Sequence, residues 1–252
     1  MNFHYKNMVK KISSENGILV NYMDISLFIG KIIINIDTSN FKIKRDCKFC
    51  QQDFTINFLS EDEIQKLNSY KSMKKQIEWI AGRFLVKNMV KEFFGCGCYI
   101  ELPDICISYK NEGAPFLEQF EPLSLSISHS GDYVAAALCK NSKNIGLDIE
   151  KSDYIPSQSF MRIVFTDREL ENINSTVKLN DMDIDAIYSH EVMRRWTIKE
   201  AFLKYIEKGF NEKLKSLEIL DNRLFYNNKE VVDISISTFN IDQNYLLSII
   251  YG

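Results

Sequence analysis

The stretch Gly146-Leu147-Asp148-Ile149-Glu150 is the most informative part of the sequence. Its apolar and acidic residues alternate, which is the period of a β-strand. The two apolar side chains are therefore expected on one face of the strand, and Asp148 and Glu150 on the other face with Gly146. Neighbouring carboxylates repel each other unless a positive group lies between them, and Mg²⁺ suits such a pair. The alternative interpretation is an ordinary solvated strand face.

The run Trp196-Thr-Ile-Lys-Glu-Ala-Phe-Leu-Lys204 predicts a helix, placed at about residues 185–208. At 100° per residue, Glu200 lies about 40° from Trp196, which places it at the edge of the apolar stripe. A carboxylate at the edge of a buried stripe needs a partner, because an unpaired buried charge is costly. The alternative is a surface ion pair between Glu200 and Lys204, four residues apart.

A third chemical element is the segment Ser126-Ile-Ser-His-Ser-Gly131. Alternation from Leu123 onward predicts a half-buried strand that ends in a turn over residues 129–132. His129 at the end of this strand can donate to a phosphate or act as a base. The alternative is an ordinary turn histidine. The sequence contains no nucleophile elbow, no Walker A loop and no GxGxxG motif.

The composition is that of a globular protein. The 252 residues are 45% hydrophobic and 26% charged, with a formal net charge of −3 at pH 7. These values exclude a disordered tail, a collagen-like chain and a disulfide-stapled miniprotein. An acidic chain has no general attraction to nucleic acid, so no nucleic-acid partner is expected. No segment is typical of a signal peptide or a membrane span, and we expect a cytoplasmic protein without membrane contact.

The cysteines leave one alternative function open. Six cysteines in a chain of this length do not indicate a disulfide framework, and reduced thiols are expected. Cys47 and Cys50 have two residues between them, whereas Cys96 and Cys98 have one. Only the first pair has the spacing typical of zinc ligands. A zinc-dependent interaction module therefore stays an alternative.

Strand and helix patterns occur twice along the chain, which predicts an α+β protein in two halves. In the first half, residues 17–37 predict two strands, and Ser60 with Glu63 predicts a capping box that opens a helix. A second helix is expected over about 75–94, ending at Gly95. A strand near 105–109 follows.

The second half begins after an irregular joint at 110–122, and the domain boundary is placed between residues 115 and 116. Residues 1–115 form the predicted N-terminal half, and residues 116–252 form the C-terminal half with the acidic strand. A capping box opens at Thr166. Further strands are expected at 133–139, 145–150, 217–226, 230–238 and 244–250.

Taken together and in this order, the three motifs resemble the Sfp-type 4′-phosphopantetheinyl transferases. That family combines a Ser-His pair, a strand G-[IV]-D-[IV]-E and a helix W-x-x-K-E-[AS]-x-x-K. The matching positions here are Ser128-His129, Gly146 to Glu150 and Trp196 to Lys204. The order and spacing of the motifs suggest that the resemblance extends from about residue 60 to residue 220.

The resemblance implies a fold, an activity and partners. The fold is two similar α+β halves related by a pseudo-twofold axis, with coenzyme A bound between them. The activity is Mg²⁺-dependent transfer of the 4′-phosphopantetheine arm of coenzyme A to a serine of an apo acyl or peptidyl carrier protein, with release of adenosine 3′,5′-bisphosphate. We expect a monomer, since the chain is already internally doubled.

The resemblance also implies roles for individual residues. Asp148, Glu150 and Glu200 correspond to the metal-binding carboxylates, and Asp148 also belongs to the coenzyme A site. Glu200 corresponds to the base for the carrier serine, acting directly or through a metal-bound water. Lys204 corresponds to a catalytic residue on the coenzyme A phosphates.

Further residues correspond to the nucleotide end of coenzyme A. His129 and Ser128 correspond to the 3′-phosphate site, and Lys66 falls where the family places another basic residue for that phosphate. Its position follows from counting back from Ala81-Gly82-Arg83, where Arg83 has an alternative structural role.

One departure affects nucleotide affinity. The family usually has Gly-Lys-Pro where this sequence has Gly113-Ala114-Pro115, and Lys110 is a possible substitute for the missing lysine. A non-catalytic relative that binds coenzyme A or a carrier protein is therefore the alternative function. The basic runs at 71–75 and 194–195 are candidates for a carrier-binding surface.

Overall fold

The computed structural model describes the chain in nine ranges: 8–13, 17–32, 58–95, 99–120, 122–140, 144–178, 184–209, 212–242 and 244–252. They form two compact units. The first unit comprises Met1–Tyr109 and Pro115–Ser142, and the second comprises Lys110–Ala114 and Lys143–Gly252. Both units combine helices with antiparallel sheets, which confirms the predicted α+β class.

The first unit contains a six-stranded antiparallel sheet in the order β1-β2-β6-β5-β4-β3. Its strands are β1 Val9–Ser13, β2 Ile18–Asp24, β3 Ile107–Tyr109, β4 Pro115–Leu117, β5 Leu123–Ser130 and β6 Tyr133–Lys140. Its helices are α1 Ile25–Ile32, α2 Glu61–Ser69 and α3 Met73–Phe94, with short 3₁₀ segments at Leu102–Asp104 and Glu118–Phe120.

Both long-range and local interactions fix the helices of the first unit. The Ser60 hydroxyl accepts from the Glu63 amide and the Glu63 carboxylate accepts from the Ser60 amide, so the predicted capping box is confirmed. The predicted helix over 75–94 is confirmed as α3, which ends at Gly95 with a φ of 59°. Phe84 packs against Phe28 and Phe58, with ring centroids 5.2 Å apart in both cases.

The prediction of two strands over 17–37 is wrong after Asp24. Helix α1 begins there because the Asp24 carboxylate accepts from the amides of Ser26 and Leu27, at 2.7 and 3.2 Å. The apolar run that suggested a second strand lies instead on this helix, where Phe28 is fully buried. Residues 33–37 lie outside the described ranges.

The predicted domain boundary at 115 differs from the observed division. Strand β2 pairs with β6 along the whole length of β2, and β5 pairs with both β4 and β6. These hydrogen bonds keep residues 115–142 in the first unit, while the short segment Lys110–Ala114 belongs to the second. The irregular segment around residue 113 therefore marks a change in the sequence pattern but is not the boundary between the two compact units.

The second unit contains two three-stranded antiparallel sheets, in the orders β11-β12-β7 and β10-β9-β8. Its strands are β7 Ile145–Lys151, β8 Leu217–Leu220, β9 Arg223–Tyr226, β10 Lys229–Glu230, β11 Ser235–Ile241 and β12 Tyr245–Tyr251. Its helices are α4 Gln158–Val164, α5 Asp167–Lys178 and α6 Ile184–Tyr205, with a 3₁₀ segment at Leu214–Ser216. Among the described helices of both units, none is long and apolar enough to cross a membrane.

The C-terminal strands are more finely divided than the sequence predicted. The expected strand 217–226 is a hairpin, β8 and β9, because Asp221 and Asn222 adopt positive φ values of 49° and 63°. Short polar side chains tolerate this backbone region, and a tight turn forms there. The expected strand 230–238 is likewise divided into β10 and β11.

Helix α6 lies directly on strand β7, and Gly146 permits the contact. A Cβ atom at position 146 would lie 2.5 Å from the amide nitrogen of Tyr205 and closer still to the carbonyl oxygen of Ala201. No side chain fits there, so the helix backbone occupies the space beside the glycine. Because side chains alternate along a strand, the face of β7 that carries Asp148 and Glu150 is the face covered by α6.

We predict that Gly146→Ala lowers the free energy of unfolding by about 3 kcal/mol or more, since the added methyl group must displace the backbone of α6. Gly82→Ala is the matched control. A Cβ atom there would lie 3.6 Å from Ile127, an ordinary contact, and alanine is favoured over glycine in a helix by about 0.5–1 kcal/mol. Urea unfolding measures both changes. Equal stability of the two variants would contradict the close contact at Gly146.

Candidate active site

Strand β7 places Asp148 in a buried position beside a lysine. Asp148 is only 4% exposed, and the Lys204 ammonium donates to its Oδ1 at 2.8 Å. Leu147 and Ile149, on the opposite face, are fully buried. A solvated strand face is therefore the wrong interpretation of this segment, and Asp148 is a buried charge that needs compensation.

Glu200 is presented to the same site by helix α6. It is 6% exposed, and its Oε1 atom is buried without a hydrogen-bond partner. The interpretation of Glu200 and Lys204 as a surface ion pair is wrong, because Lys204 forms its ion pair with Asp148 instead. A buried carboxylate oxygen without a donor is rare in proteins, and its chemistry suits contact with a positive group.

The electrostatics of the site are dominated by crowded negative charge. The pKa of Glu200 is raised to about 7 from its ordinary value of 4.5, chiefly by burial and next by the nearby Asp148 carboxylate. Lys204 acts in the opposite direction, and Glu150 adds a smaller upward contribution. These influences show that Glu200 lies within electrostatic reach of both acids of strand β7.

Glu150 stands at the less buried end of the acidic row. The indole Nε1 of Trp196 donates to its Oε1 at 3.4 Å, which is a long hydrogen bond. Trp196 is itself held by Phe160 in an edge-to-face contact, with centroids 5.2 Å apart. The tryptophan of the helix motif thus positions the second acid of the strand motif.

The donor set suits a hard divalent cation, but no complete cage is preformed. In the ranges that the structure describes, no three His, Cys, Asp or Glu side chains are arranged closely enough to hold a metal ion. The donors present are carboxylate oxygens, which Mg²⁺ prefers, and one of them, Glu200 Oε1, lacks a partner. Mg²⁺ is commonly held by one or two carboxylates with water and substrate phosphates, so these residues fit it.

Three predicted site residues lie in the first unit. Ser128 and His129 are at the end of strand β5, where Ser128 is buried and His129 is half exposed. The Nδ1 atom of His129 lies 3.7 Å from the Glu78 carboxylate. Lys66 is exposed in the last turn of α2, with its ammonium 5.7 Å from the centre of the Tyr70 ring.

Lys110, the expected substitute for the missing lysine, has a partner within the second unit. Its ammonium donates to both carboxylate oxygens of Glu207, at 2.6 and 2.7 Å. The Lys110 amide also donates to the carbonyl of Ala114 at 2.9 Å, which closes the turn around Gly113. A phosphate contact from Lys110 would have to compete with Glu207.

Several other basic residues have structural contacts. Arg83 lies between the rings of Trp79 and Tyr109 and donates to the Tyr109 hydroxyl at 2.8 Å, which agrees with its alternative structural role. The prediction of a carrier-binding surface at 194–195 is wrong for Arg195, which is 1% exposed and donates to Glu191. Arg194 is bound to that same carboxylate.

The sequence analysis missed a buried ion pair next to the site. Lys199, adjacent to Glu200 in α6, is fully buried and donates to Glu169 at 2.7 Å. Glu169 belongs to the predicted capping box at Thr166, which is confirmed. The sequence does show Glu169 as a capping-box glutamate, but spacing along the chain alone could not identify Lys199 as its buried partner.

The four cysteines of the zinc hypothesis, Cys47, Cys50, Cys96 and Cys98, lie outside the described residues.

Comparison with known proteins gives two family matches that together span most of the chain. Residues 144–249 match the 4′-phosphopantetheinyl transferase superfamily, and residues 37–141 match the family described as 4′-phosphopantetheinyl transferase, N-terminal. The first match contains the acidic strand and helix α6. The second contains the Ser-His pair.

Named relatives agree with these matches. The chain is 25% identical to 4′-phosphopantetheinyl transferase ffp of Bacillus subtilis over 206 residues, covering 79% of this chain and 84% of the relative. It is 24% identical to 4′-phosphopantetheinyl transferase Sfp of Bacillus subtilis (strain 168), covering 77% and 82%. It is 27% identical to the L-aminoadipate-semialdehyde dehydrogenase-phosphopantetheinyl transferase of Xenopus laevis, covering 62% of this chain and about half (52%) of that relative.

The buried acidic strand, the helix above it and both family matches lead to one classification. This chain belongs to the Sfp-type 4′-phosphopantetheinyl transferase family, and its α+β fold is that of the family.

We predict that Glu200 makes the metal-free protein less stable as the pH rises. Its folded-state pKa is about 7 and its ordinary value is 4.5, so the unfolded state loses its proton first between these values. Stability therefore falls through that range and stays low above it. Glu200→Gln removes the penalty, and its stabilising effect should grow from almost none at pH 4.5 to at most ~3 kcal/mol at pH 8.5.

Urea unfolding in EDTA at the two pH values measures this difference. Glu230→Gln is the control, because Glu230 is exposed in the same unit, outside the acidic row. A Glu200→Gln effect that is the same at pH 4.5 and pH 8.5 would show that burial does not raise the pKa of Glu200.

Proposed function

We propose that this protein transfers the 4′-phosphopantetheine arm of coenzyme A to a serine of an apo acyl or peptidyl carrier protein in a Mg²⁺-dependent reaction. The observation that carries the proposal is the set formed by the buried acids Asp148 and Glu200 and the partly exposed Lys204, on motifs that match the family. In this reaction the serine oxygen forms a bond to the β-phosphorus of coenzyme A, and the pyrophosphate bond breaks. Adenosine 3′,5′-bisphosphate departs with the electron pair of that bond.

Glu200 is the proposed acceptor of the serine proton. A general base is most effective when its pKa lies near the working pH, and in the metal-free protein burial and the nearby Asp148 carboxylate bring the pKa of Glu200 to about 7. Its unpartnered Oε1 atom has no competing donor to displace. Proton transfer to a positioned base increases a reaction rate by about 10²–10⁴-fold.

Lys204 is the proposed partner of the reacting phosphates. Its side chain is 28% exposed, so a ligand can reach it while its ammonium donates to Asp148. Negative charge increases on the phosphate oxygens during phosphoryl transfer, and a positioned cationic side chain stabilises it. Without a ligand, the same ammonium compensates the negative charge of Asp148 through their ion pair.

Asp148, Glu150 and Glu200 are the proposed ligands of Mg²⁺. When bound, the ion would neutralise charge on the pyrophosphate and orient it. The support is the donor chemistry of the three carboxylates and the buried oxygen of Glu200 that lacks a partner.

In the first unit, Lys66, Ser128 and His129 are the proposed contacts for the nucleotide 3′-phosphate. An exposed ammonium, a hydroxyl and an imidazole are suitable donors to a phosphate. We also propose that the protein acts as a monomer.

A non-catalytic relative that binds coenzyme A or a carrier is the second candidate. The observation in its favour is the loss of the usual lysine at Ala114, together with the engagement of Lys110 by Glu207. Both features bear on nucleotide affinity and leave the acidic row intact.

The test is intact-mass spectrometry of apo carrier proteins of several types, incubated with this protein, coenzyme A and Mg²⁺. We expect a mass gain of about 340 Da, the size of the transferred arm, which disappears with EDTA. Asp148→Asn should reduce the rate at least ~100-fold, because it removes a charge from the site without changing its shape.

Glu230→Gln is the control and should react at the wild-type rate, since this exposed carboxylate lies outside the site. No mass gain on any carrier with folded protein that binds coenzyme A would favour the non-catalytic candidate. A gain that survives both EDTA and Asp148→Asn would refute the proposed metal site.

A further inference from the structure

Lys199 is a buried side chain of the second unit with several hydrogen bonds that the proposed mechanism does not use. Its ammonium is completely buried. It donates to the Glu169 carboxylate at 2.7 Å and to the carbonyls of Val164, Leu217 and Leu214, at 2.9, 2.6 and 3.3 Å. A lysine has three N–H donors, so all of them are used.

These contacts tie α6 to three other parts of the unit. Val164 is the last residue of α4, Glu169 is in the first turn of α5, and Leu214 and Leu217 stand at the entry to β8. Glu169 in turn accepts from the amides of Thr166 and Ile219. The arrangement is called the Lys199 clamp below.

The contacts of the Lys199 clamp restrict rotation of helix α6 about its own axis. Successive residues in a helix are about 100° apart, so the direction of Lys199 determines the direction of its neighbour Glu200. Lys199 faces α5 and β8, whereas Glu200 faces Asp148 on β7. Gly146 fixes how closely α6 approaches β7, and Lys199 anchors the same helix to α5 and β8, so the two constraints are complementary.

We propose that Lys199 is a positioning residue whose buried clamp fixes the rotation of α6 and so directs Glu200 toward Asp148. The effect on transfer rests on the proposed function, but the effect on the helix does not. A buried ammonium with four oxygen partners is suited to this task, because any rotation would leave charged groups unpaired in the interior.

The first unit provides a matched control built by the same rules. Lys87 of α3 is also fully buried, and it donates to the capping-box residue Glu63 and to the carbonyls of Phe58 and Pro103. The acceptor carbonyl lies two residues before the cap in both units, at Phe58 before Ser60 and at Val164 before Thr166. The residue after Lys87, however, is Asn88, where α6 has Glu200.

The experiment compares Lys199→Met with Lys87→Met. Both variants remove a buried ammonium, so both should lower the urea midpoint of unfolding. Under conditions where both are folded, Lys199→Met should lower kcat about 10–100-fold with KM for coenzyme A changed less than about threefold, since misorientation affects the reacting groups. Lys87→Met should keep kcat within about threefold of wild type.

A second readout does not depend on activity. Trp196 shares α6 with Lys199 and contacts Glu150 and Phe160, and the chain has two tryptophans. In a Trp79→Phe background, its emission should shift in Lys199→Met and stay unchanged in Lys87→Met. If wild-type protein shows no transfer at all, the proposed function fails, and the Trp196 emission still decides the role of the clamp.

Glu169→Gln is the second variant, in case Lys199→Met does not fold. It keeps the shape and the hydrogen-bond acceptor but removes the charge, and it should give the same changes to a smaller extent. Wild-type kcat and unshifted Trp196 emission in a folded clamp variant would overturn the proposal. An equal loss of kcat in Lys87→Met would also overturn it, because the effect would then be one of general stability.

Discussion

The close contact between Gly146 and helix α6 is the constraint on which the site depends. Since a side chain at this position would collide with the backbone at Ala201 and Tyr205, the helix can lie directly on strand β7 only where a glycine stands. The contact brings the acids of β7 under the face of α6 that carries Glu200 and Lys204. Two motifs separated by about 50 residues in the sequence thereby form one site. The close approach of the helix backbone also explains why the strand motif begins with a glycine.

The resulting site concentrates negative charge in a place that water hardly reaches. Asp148 is neutralised by Lys204, while Glu200 is left with a buried oxygen that accepts no hydrogen bond and with a pKa of about 7. A stable fold tolerates such a group only because interactions elsewhere compensate for it, as is common at functional sites. The carboxylates are costly in the isolated protein and become favourable when a cation and a phosphate are bound.

Much of this arrangement could be predicted from the sequence, for identifiable reasons. Alternation in the segment 146–150 placed Asp148 and Glu150 on one face, and the capping boxes at Ser60 and Thr166 located two helix starts. Helix α1 was missed because its local cap at Asp24 was overlooked within an apolar run that suggested a strand. Two other features could not be predicted, because they depend on tertiary contacts. Strand β6 pairs with β2 of the N-terminal sheet, and Lys199 donates to Glu169, which lies 30 residues away in the sequence. Spacing along the chain does not encode which buried charges meet.

The central claim is that the acids of β7 and α6 form one cation site, and a crystal structure with Mn²⁺ and coenzyme A tests it most directly. Anomalous scattering from Mn²⁺, which prefers the same oxygen ligands as Mg²⁺, locates the ion without assumptions about the reaction. The account predicts an anomalous peak in contact with the carboxylates of Asp148 and Glu200. A peak elsewhere, or no peak at these residues in protein that transfers the arm, would contradict it.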